Sequence, residues 1–342
     1  MISRTPGAVR HAEPVGGGGD QAADRPRRIT APVTPGDLVF RGVLRAAGLS
    51  VFLIMGLIAF FLLLRGLQAL HATGWSFFTQ EKWLTQSHVF GIAAVLPDGV
   101  IIAMVALVIA VPVALTTAVY VSEYAPERIR SALVSLVDLM AAIPSIVYGL
   151  WGLFFLQPRI VGFVRWTTMH LGHWIPFLKV RSGDIGASYT SSPFIVGTVV
   201  SLMIIPIVTS LSREVFSQAP QGEREGAYAL GSTRWGMVRS VVLPFGRGGV
   251  VGAVMLGFGR AMGETIAVAL IISPKFTVTT HILENGANSI SSLIALHFGE
   301  SDPLSLSALM AAGLVLFGLT LVVNMLAAVV IGRSRSGAAT AD

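Results

Sequence analysis

The sequence predicts an all-α, polytopic membrane protein with six transmembrane helices and both termini on the cytoplasmic side. Three observations carry that expectation. The 342 residues are 53% hydrophobic and only 12% charged, about half the charged share of an ordinary soluble domain. Six apolar runs come close to or exceed the roughly 20 residues a helix needs to cross the hydrocarbon core. Basic residues are also unevenly distributed: this topology puts 16 Lys and Arg on cytoplasmic segments and 7 on external ones. That is the bias that fixes orientation in membranes.

The runs are Ala46–Leu64, Gly99–Val121, Ala132–Leu156, Phe194–Ser210, Gly249–Ile272 and Ser307–Ile331. The third is interrupted by Asp138 and Pro144, and the fourth is short enough to need an extra turn at either end. Net charge is +6 and the isoelectric point near 10.2. Orientation accounts for that excess, and nothing beyond charge supports nucleic-acid binding. The absence of cysteine excludes disulfides, thiolate metal sites and cysteine nucleophiles.

Residues 1–37 are rich in Gly, Ala, Pro and Arg. Such composition buries too little apolar surface to offset ordering, so a disordered cytoplasmic tail is expected. Its "VGGGGD" is no phosphate-binding loop, which needs GxxxxGK[ST], and none of Lys82, Lys179 or Lys275 follows a glycine. The first apolar run is too long for a signal-peptide core and follows a long polar stretch, so it reads as an uncleaved span.

The external link from Arg65 to Asp98 carries Trp75, Phe77, Phe78 and Trp83, residues suited to the membrane interface or to packing over helix ends. A second external stretch, Gln157–Ser192, sets Arg159, Arg165, Lys179 and Arg181 against Asp184. It suits an anion, an acidic partner or lipid headgroups equally. Its His170 and His173 lack a nearby third ligand, so interfacial packing is preferred to a metal site.

The longest cytoplasmic loop, Leu211–Gly248, contains "EREGAYALGSTRWGMVRSVVLP". It reads as helix, turn, helix. Gly231 is placed to end the first helix in the left-handed conformation, Ser232 or Thr233 to cap the second, and Leu243-Pro244 to stop it before the fifth span. Glu225-Gly226-Ala227, then three residues and Gly231, then nine residues and Val241-x-Leu243-Pro244, resembles the EAA motif of ABC-importer permeases. Gly226 stands for Ala and Val241 for Ile. The resemblance implies a type I importer permease (MetI-like) fold. It also implies that Glu225, Gly226, Ala227, Gly231, Leu243 and Pro244 form the element that docks in a cleft of a separate ATPase.

"LVDLMAAIPSIVYGLWG" and "GFGRAMGETIAVALI" narrow the resemblance to the PstC-like permease subunits of bacterial phosphate importers, over about residues 40 to 333. Gly263-Glu264-Thr265 runs on into Ile-Ala-Val, unlike the sister PstA-like subunits, which usually continue Ala-Pro-Leu. The resemblance implies a PstA-like second permease, a PstB-like ATPase in two copies and a PstS-like phosphate-binding protein, in a bacterial inner membrane. It implies no catalysis and no cofactor for this chain, since ATP and Mg belong to the ATPase.

Asp138, Arg260 and Glu264 are the only charged residues in about 133 spanning positions. A charge at mid-membrane costs at least about 2.5–3.5 kcal/mol on insertion scales, so such residues are candidates for a translocation site. Counted from Gly249 at about 1.5 Å per residue, Arg260 and Glu264 fall near mid-membrane, one helical turn apart. Gly252, Gly259 and Gly263 make an adjoining small-residue face. Two readings stand: the pair neutralises itself, or it lines an anion path. Arg offers a planar fork of donors to phosphate, and a carboxylate accepts the proton that hydrogen phosphate carries and sulfate lacks. Asp138 is either a second partner of Arg260 or an acid bonded to neighbouring helices. Pro144 kinks its helix. An ion-coupled anion transporter explains the charges but not the EAA spacing. A lipid phosphotransferase lacks the paired side chains it would need. An ABC permease for another oxyanion is the remaining alternative.

Overall fold

A computed structural model of the chain describes residues 34–180, 189–278, 280–300 and 302–335. Most of the expected N-terminal tail, the end of the C-terminal tail, Arg181 and Asp184 lie outside the described residues. Among the described residues six helices are long and apolar enough to cross a membrane: Pro35–Thr73, Val95–Tyr124, Ser145–Leu171, Pro193–Ser217, Arg234–Gly263 and Pro303–Val329.

The chain divides after Ile54. The first unit holds the start of helix α1 (Pro35–Thr73), which begins at Pro35, inside the expected tail rather than at Ala46. The cause is local. The Thr34 N–H donates to Asp37 Oδ2 at 3.1 Å and the Asp37 N–H to Thr34 Oγ1 at 3.3 Å, a reciprocal cap with proline at the first helical position.

The second unit, Met55–Asp342, holds the core. Short helix α2 (Ser76–Thr79) and a two-stranded antiparallel hairpin, β1 (Trp83–Leu84) and β2 (Val89–Phe90), precede α3 (Val95–Val119). A π-helical turn, Tyr120–Tyr124, extends α3. The aromatic link is split by burial. Phe77, Trp83 and Phe90 pack with Leu293, Leu309 and Ala312 over helix ends, whereas Trp75 is exposed.

Ala103, Ala106, Ala110, Ala114 and Ala118 are fully buried along α3. This stripe repeats at helical spacing; its first four residues pack on Val196, Val199, Met203, Ile204 and Val208 of α7 (Pro193–Ser217), and Ala118 packs with Phe216 of the same helix. Small residues let two backbones approach closely where lipid supplies no hydrophobic drive between helices. The Thr209 hydroxyl adds a bond to the Ala114 carbonyl at 3.4 Å.

The third apolar stretch is not one helix. Helix α4 (Glu127–Ala142) ends at Ile143, and α5 (Ser145–Trp151) starts after Pro144. Ile143 is extended, with ψ 127°, because a residue before proline is driven out of the helical region. A π turn at Gly152–Leu156 joins α5 to α6 (Gln157–Leu171). The membrane-length segment is therefore Ser145–Leu171, and the expected span Ala132–Leu156 straddles a break.

After α7 come α8 (Gln221–Ala229), α9 (Arg234–Met237), a π turn Val238–Val242 and α10 (Leu243–Gly263). Pro244 does not stop the chain. The Leu243 N–H bonds back to the Val238 carbonyl, and this wider turn accommodates the proline that follows, so Arg234–Gly263 runs as one span. Then come α11 (Ile266–Ile271), α12 (Ile290–His297) and α13 (Pro303–Arg335). A Cβ on Gly149 of α5 would lie 2.9 Å from a Leu270 methyl and 3.0 Å from the Ala267 Cα, so glycine is what lets α5 lie against α11.

Candidate functional site

The EAA-like loop is built from the chain's own capping chemistry. The Gly231 N–H donates to the Tyr228 carbonyl at 2.9 Å and the Ser232 N–H to the Ala227 carbonyl at 3.1 Å. Gly231 has φ +81°. Together these make the paired closure of a Schellman helix end. Of the two expected caps Thr233 acts, its Oγ1 accepting the Gly236 N–H at 3.1 Å. Met237, Val238 and Val242 pack inward on Ala118 and Phe216, with Ala227 and Leu243 against them.

Among the described residues nothing covers the outward face. Glu225, Gly226, Gly231 and Pro244 are exposed, and so are Tyr228, Trp235 and Leu230, the last at 89%. Apolar side chains clustered at one exposed turn are the mark of a surface that another protein covers.

The three intramembrane charges stand on different elements. Asp138 is exposed on α4 and accepts the Ser210 hydroxyl of α7 at 3.4 Å. Arg260 is exposed in the last turn of α10. Glu264 is 8% exposed, and α10 has already ended at Gly263. The expectation that Arg260 and Glu264 lie one turn apart on a continuous helix is therefore corrected. Among the described residues no hydrogen bond or ion pair joins any two of the three.

Glu264 makes the break between α10 and α11. Its ψ of 125° is extended, its Oε1 accepts the Ala267 N–H at 3.3 Å, and its carbonyl accepts the Ser291 hydroxyl at 2.8 Å. The carboxylate thus caps α11, as an acid before a helix does. Gly-Glu-Thr followed by an apolar run is a stop-and-restart signal in the sequence. The apolar count across the region concealed it. Of the small-residue face, Gly252 approaches Ile331 and Gly259 approaches Asn324 of α13, while Gly263 faces open space.

Sequence reasoning missed a buried polar knot beside this break. Asp98 Oδ2 accepts the Asn288 N–H at 3.1 Å. Asn288 Oδ1 accepts from the Ser289 N–H and the Ser292 hydroxyl, each at 2.9 Å, and Ser289 with Ser292 forms a capping box for α12. Asp98, Asn288 and Ser292 are essentially inaccessible. The spacing Asn-Ser-x-x-Ser before an apolar run is a helix-start signature. It could have been read directly.

On the external stretch, the Arg159 guanidinium lies 3.7 Å over the Phe155 ring, and the His170 ring stacks on Trp166 while bonding its carbonyl at 2.9 Å.

Residues 110–336 match the family described as the binding-protein-dependent transport system inner membrane component. The chain belongs to that family. Members of this transport-component family sit in the membrane and work with a binding protein and further subunits. The chain is 41% identical over 310 residues to the "Phosphate transport system permease protein PstC 2" of Mycobacterium tuberculosis, covering 90% of this chain and 95% of that protein. It is 42% identical over 283 residues to the PstC of Mycobacterium leprae, covering 82% and 88%, and 36% identical over 305 residues to that of Mesorhizobium japonicum, covering 88% and 92%. Among solved structures, a bacterial ABC transporter involved in alginate import superposes with TM-score 0.54 at 18% identity, over 86% of this chain and 97% of that one. The MetNI methionine ABC transporter gives 0.50 at 15%, over 69% and 93%. At that identity the likeness is one of fold. This inner membrane component has the helical importer-permease architecture.

Proposed function

We propose that this chain is the C-type permease subunit of an ATP-driven importer of inorganic phosphate in a bacterial inner membrane, with both termini cytoplasmic. The observation that carries the substrate is the 41% identity, over 90% of the chain, to a protein named as a phosphate transport permease. A PstA-like permease completes the pathway, a PstS-like binding protein delivers phosphate, and two PstB-like ATPases supply the ATP hydrolysis. The uncovered face around Glu225, Tyr228, Leu230 and Trp235 is the ATPase docking surface.

Arg260, Glu264 and Asp138 line the route. A lone permease chain exposes the face that its homologous partner meets. Arg260 sits in the last turn of α10, where the span Arg234–Gly263 gives way to the break before α11; it is exposed in the single chain, and hydrocarbon is a costly neighbour for a guanidinium. Water and a second subunit are the neighbours that fit. Glu264 has committed Oε1 to Ala267; its other oxygen remains to accept the proton of hydrogen phosphate. The test is Arg260→Gln in the complete complex, assayed by uptake of labelled phosphate in proteoliposomes. Uptake should stop while the complex assembles in normal amount, and normal uptake would sink the assignment.

A further inference from the structure

Arg224, the residue directly before Glu225, points into the protein instead of outward. Its side chain is 20% exposed and that of its partner Glu123 is 4% exposed. Nη1 donates to Glu123 Oε2 at 2.8 Å, Nη2 to the Phe216 carbonyl at 2.6 Å and Nε to the Ala219 carbonyl at 3.2 Å. One guanidinium therefore ties α8 to the π turn that ends the α3 span and to the last turn of α7. Among the described residues Arg224 makes every side-chain hydrogen bond from α8 to the spans.

Each bond has a chemical reason. The Phe216 carbonyl is one of the last four of α7, which find no donor within their own helix. A cation there also complements the negative end of the helix dipole. Three acceptors lying in different directions suit the rigid fork of Arg, which the single ammonium of Lys does not reproduce. Stability alone does not explain the pair. Glu123 Oε1 is buried without a hydrogen-bond partner, and replacing a buried ion pair by apolar residues is often neutral or stabilising. A half-satisfied buried carboxylate at this position calls for a further role.

We propose that the Arg224–Glu123 pair is a positioning strut that passes displacement of the EAA-like helix to the ends of α3 and α7. These two helices share the alanine-lined core, and α7 carries Ser210, the partner of Asp138. The strut touches neither phosphate nor ATP. The proposal rests on the coupling reading of the Glu225–Gly231 loop.

The test uses the complete complex in proteoliposomes with phosphate-loaded binding protein, and reads phosphate imported per ATP hydrolysed together with the amount of assembled complex. Glu123→Gln and Arg224→Gln should each lower that ratio by about fivefold or more, the lower end of typical coupling between sites. The double variant should be no worse than either single, because the two residues act as one unit. Arg224→Lys, with charge kept and the fork lost, should fall with them. A wild-type ratio in the singles, or losses that multiply in the double variant, would overturn the proposal. So would loss of complex with a wild-type ratio in what assembles, since that describes a brace and not a transmitter. Gly231→Pro separates the two ideas. If it leaves stimulated hydrolysis intact, the coupling reading itself has failed. If it abolishes stimulation while the strut variants behave as wild type, only the strut has.

Discussion

Gly231 gives the sharpest handle on the proposed docking element, since its conformation and the two helix-closing bonds, from its own N–H and that of Ser232, are defined. At φ +81° an L-residue brings its Cβ against the following carbonyl oxygen, at about 1–2 kcal/mol. No neighbouring atom lies within 4 Å of an added Cβ, so Gly231→Ala should cost about 1 kcal/mol by that route alone. Proline is worse on three counts. It fixes φ near −65°, and it deletes the N–H that reaches the Tyr228 carbonyl. It also swings Ser232 away from Ala227. Two net hydrogen bonds at roughly 1 kcal/mol each plus the forced conformation bring the total to about 3–4 kcal/mol. A helix of nine residues is marginal without such closure, so its C-terminal turn should fray. Asparagine tolerates the left-handed region better than other non-glycine residues and serves as the mild control.

The assay is ATP hydrolysis by the reconstituted complex with and without loaded binding protein, at matched amounts of inserted permease. Stimulation should rank wild type, Asn, Ala, Pro, with Pro abolished. A Gly231→Pro complex that still responds to loaded binding protein would refute the reasoning, because the turn geometry would then be irrelevant to transmission.

Glu264→Gln keeps an oxygen for the Ala267 N–H and so preserves the cap, but removes the charge. Sulfate should then compete about tenfold better against phosphate uptake, the scale of one hydrogen bond to a charged group; unchanged competition would reduce Glu264 to its capping role. The native chain has no cysteine, and Gly263 is exposed with open space at its Cβ. Gly263→Cys in the assembled complex should therefore react with a charged, water-borne thiol reagent, while Val108→Cys, at an exposed apolar position of α3, should not. Equal protection of the two would place Gly263 against lipid.

The parts legible in the sequence were those written in fixed spacings. Gly231 and Thr233 announce a turn because only certain residues close or cap a helix, and both do so here. Six apolar runs gave six spans because hydrocarbon thickness sets a length that composition reveals. The ends of those spans were less legible. In the sequence Pro144 reads as a kink within a span. In the structure it separates two helices, because the restriction falls on Ile143 as well as on the missing N–H. Glu264 falls inside the fifth apolar run because a hydropathy window averages over the cap that Gly-Glu-Thr writes. The Arg224 clamp and the Asp98–Asn288 bond join residues far apart in the chain, and a single sequence carries no distance information to pair them.

The two helix breaks, at Pro144 and Glu264, bear on how a permease can move. α5 and α11 lie against each other through Gly149, and each follows a break: Pro144 before one, Glu264 before the other. Residues at a break can change direction without tearing a helical ladder, because the ladder has already ended there. Arg260 sits in the last intact turn before one break. Asp138 sits on the helix before the other, tied to α7 through Ser210. A push on α7 from the loop side would therefore reach Asp138 through that hydroxyl. α11 is held independently by the Glu264 cap and by the Ser291 bond to the Glu264 carbonyl. One side of the candidate site is thus bonded to α7 and the other to Ser291, and under the proposed function that asymmetry is what would let a path open and close between them.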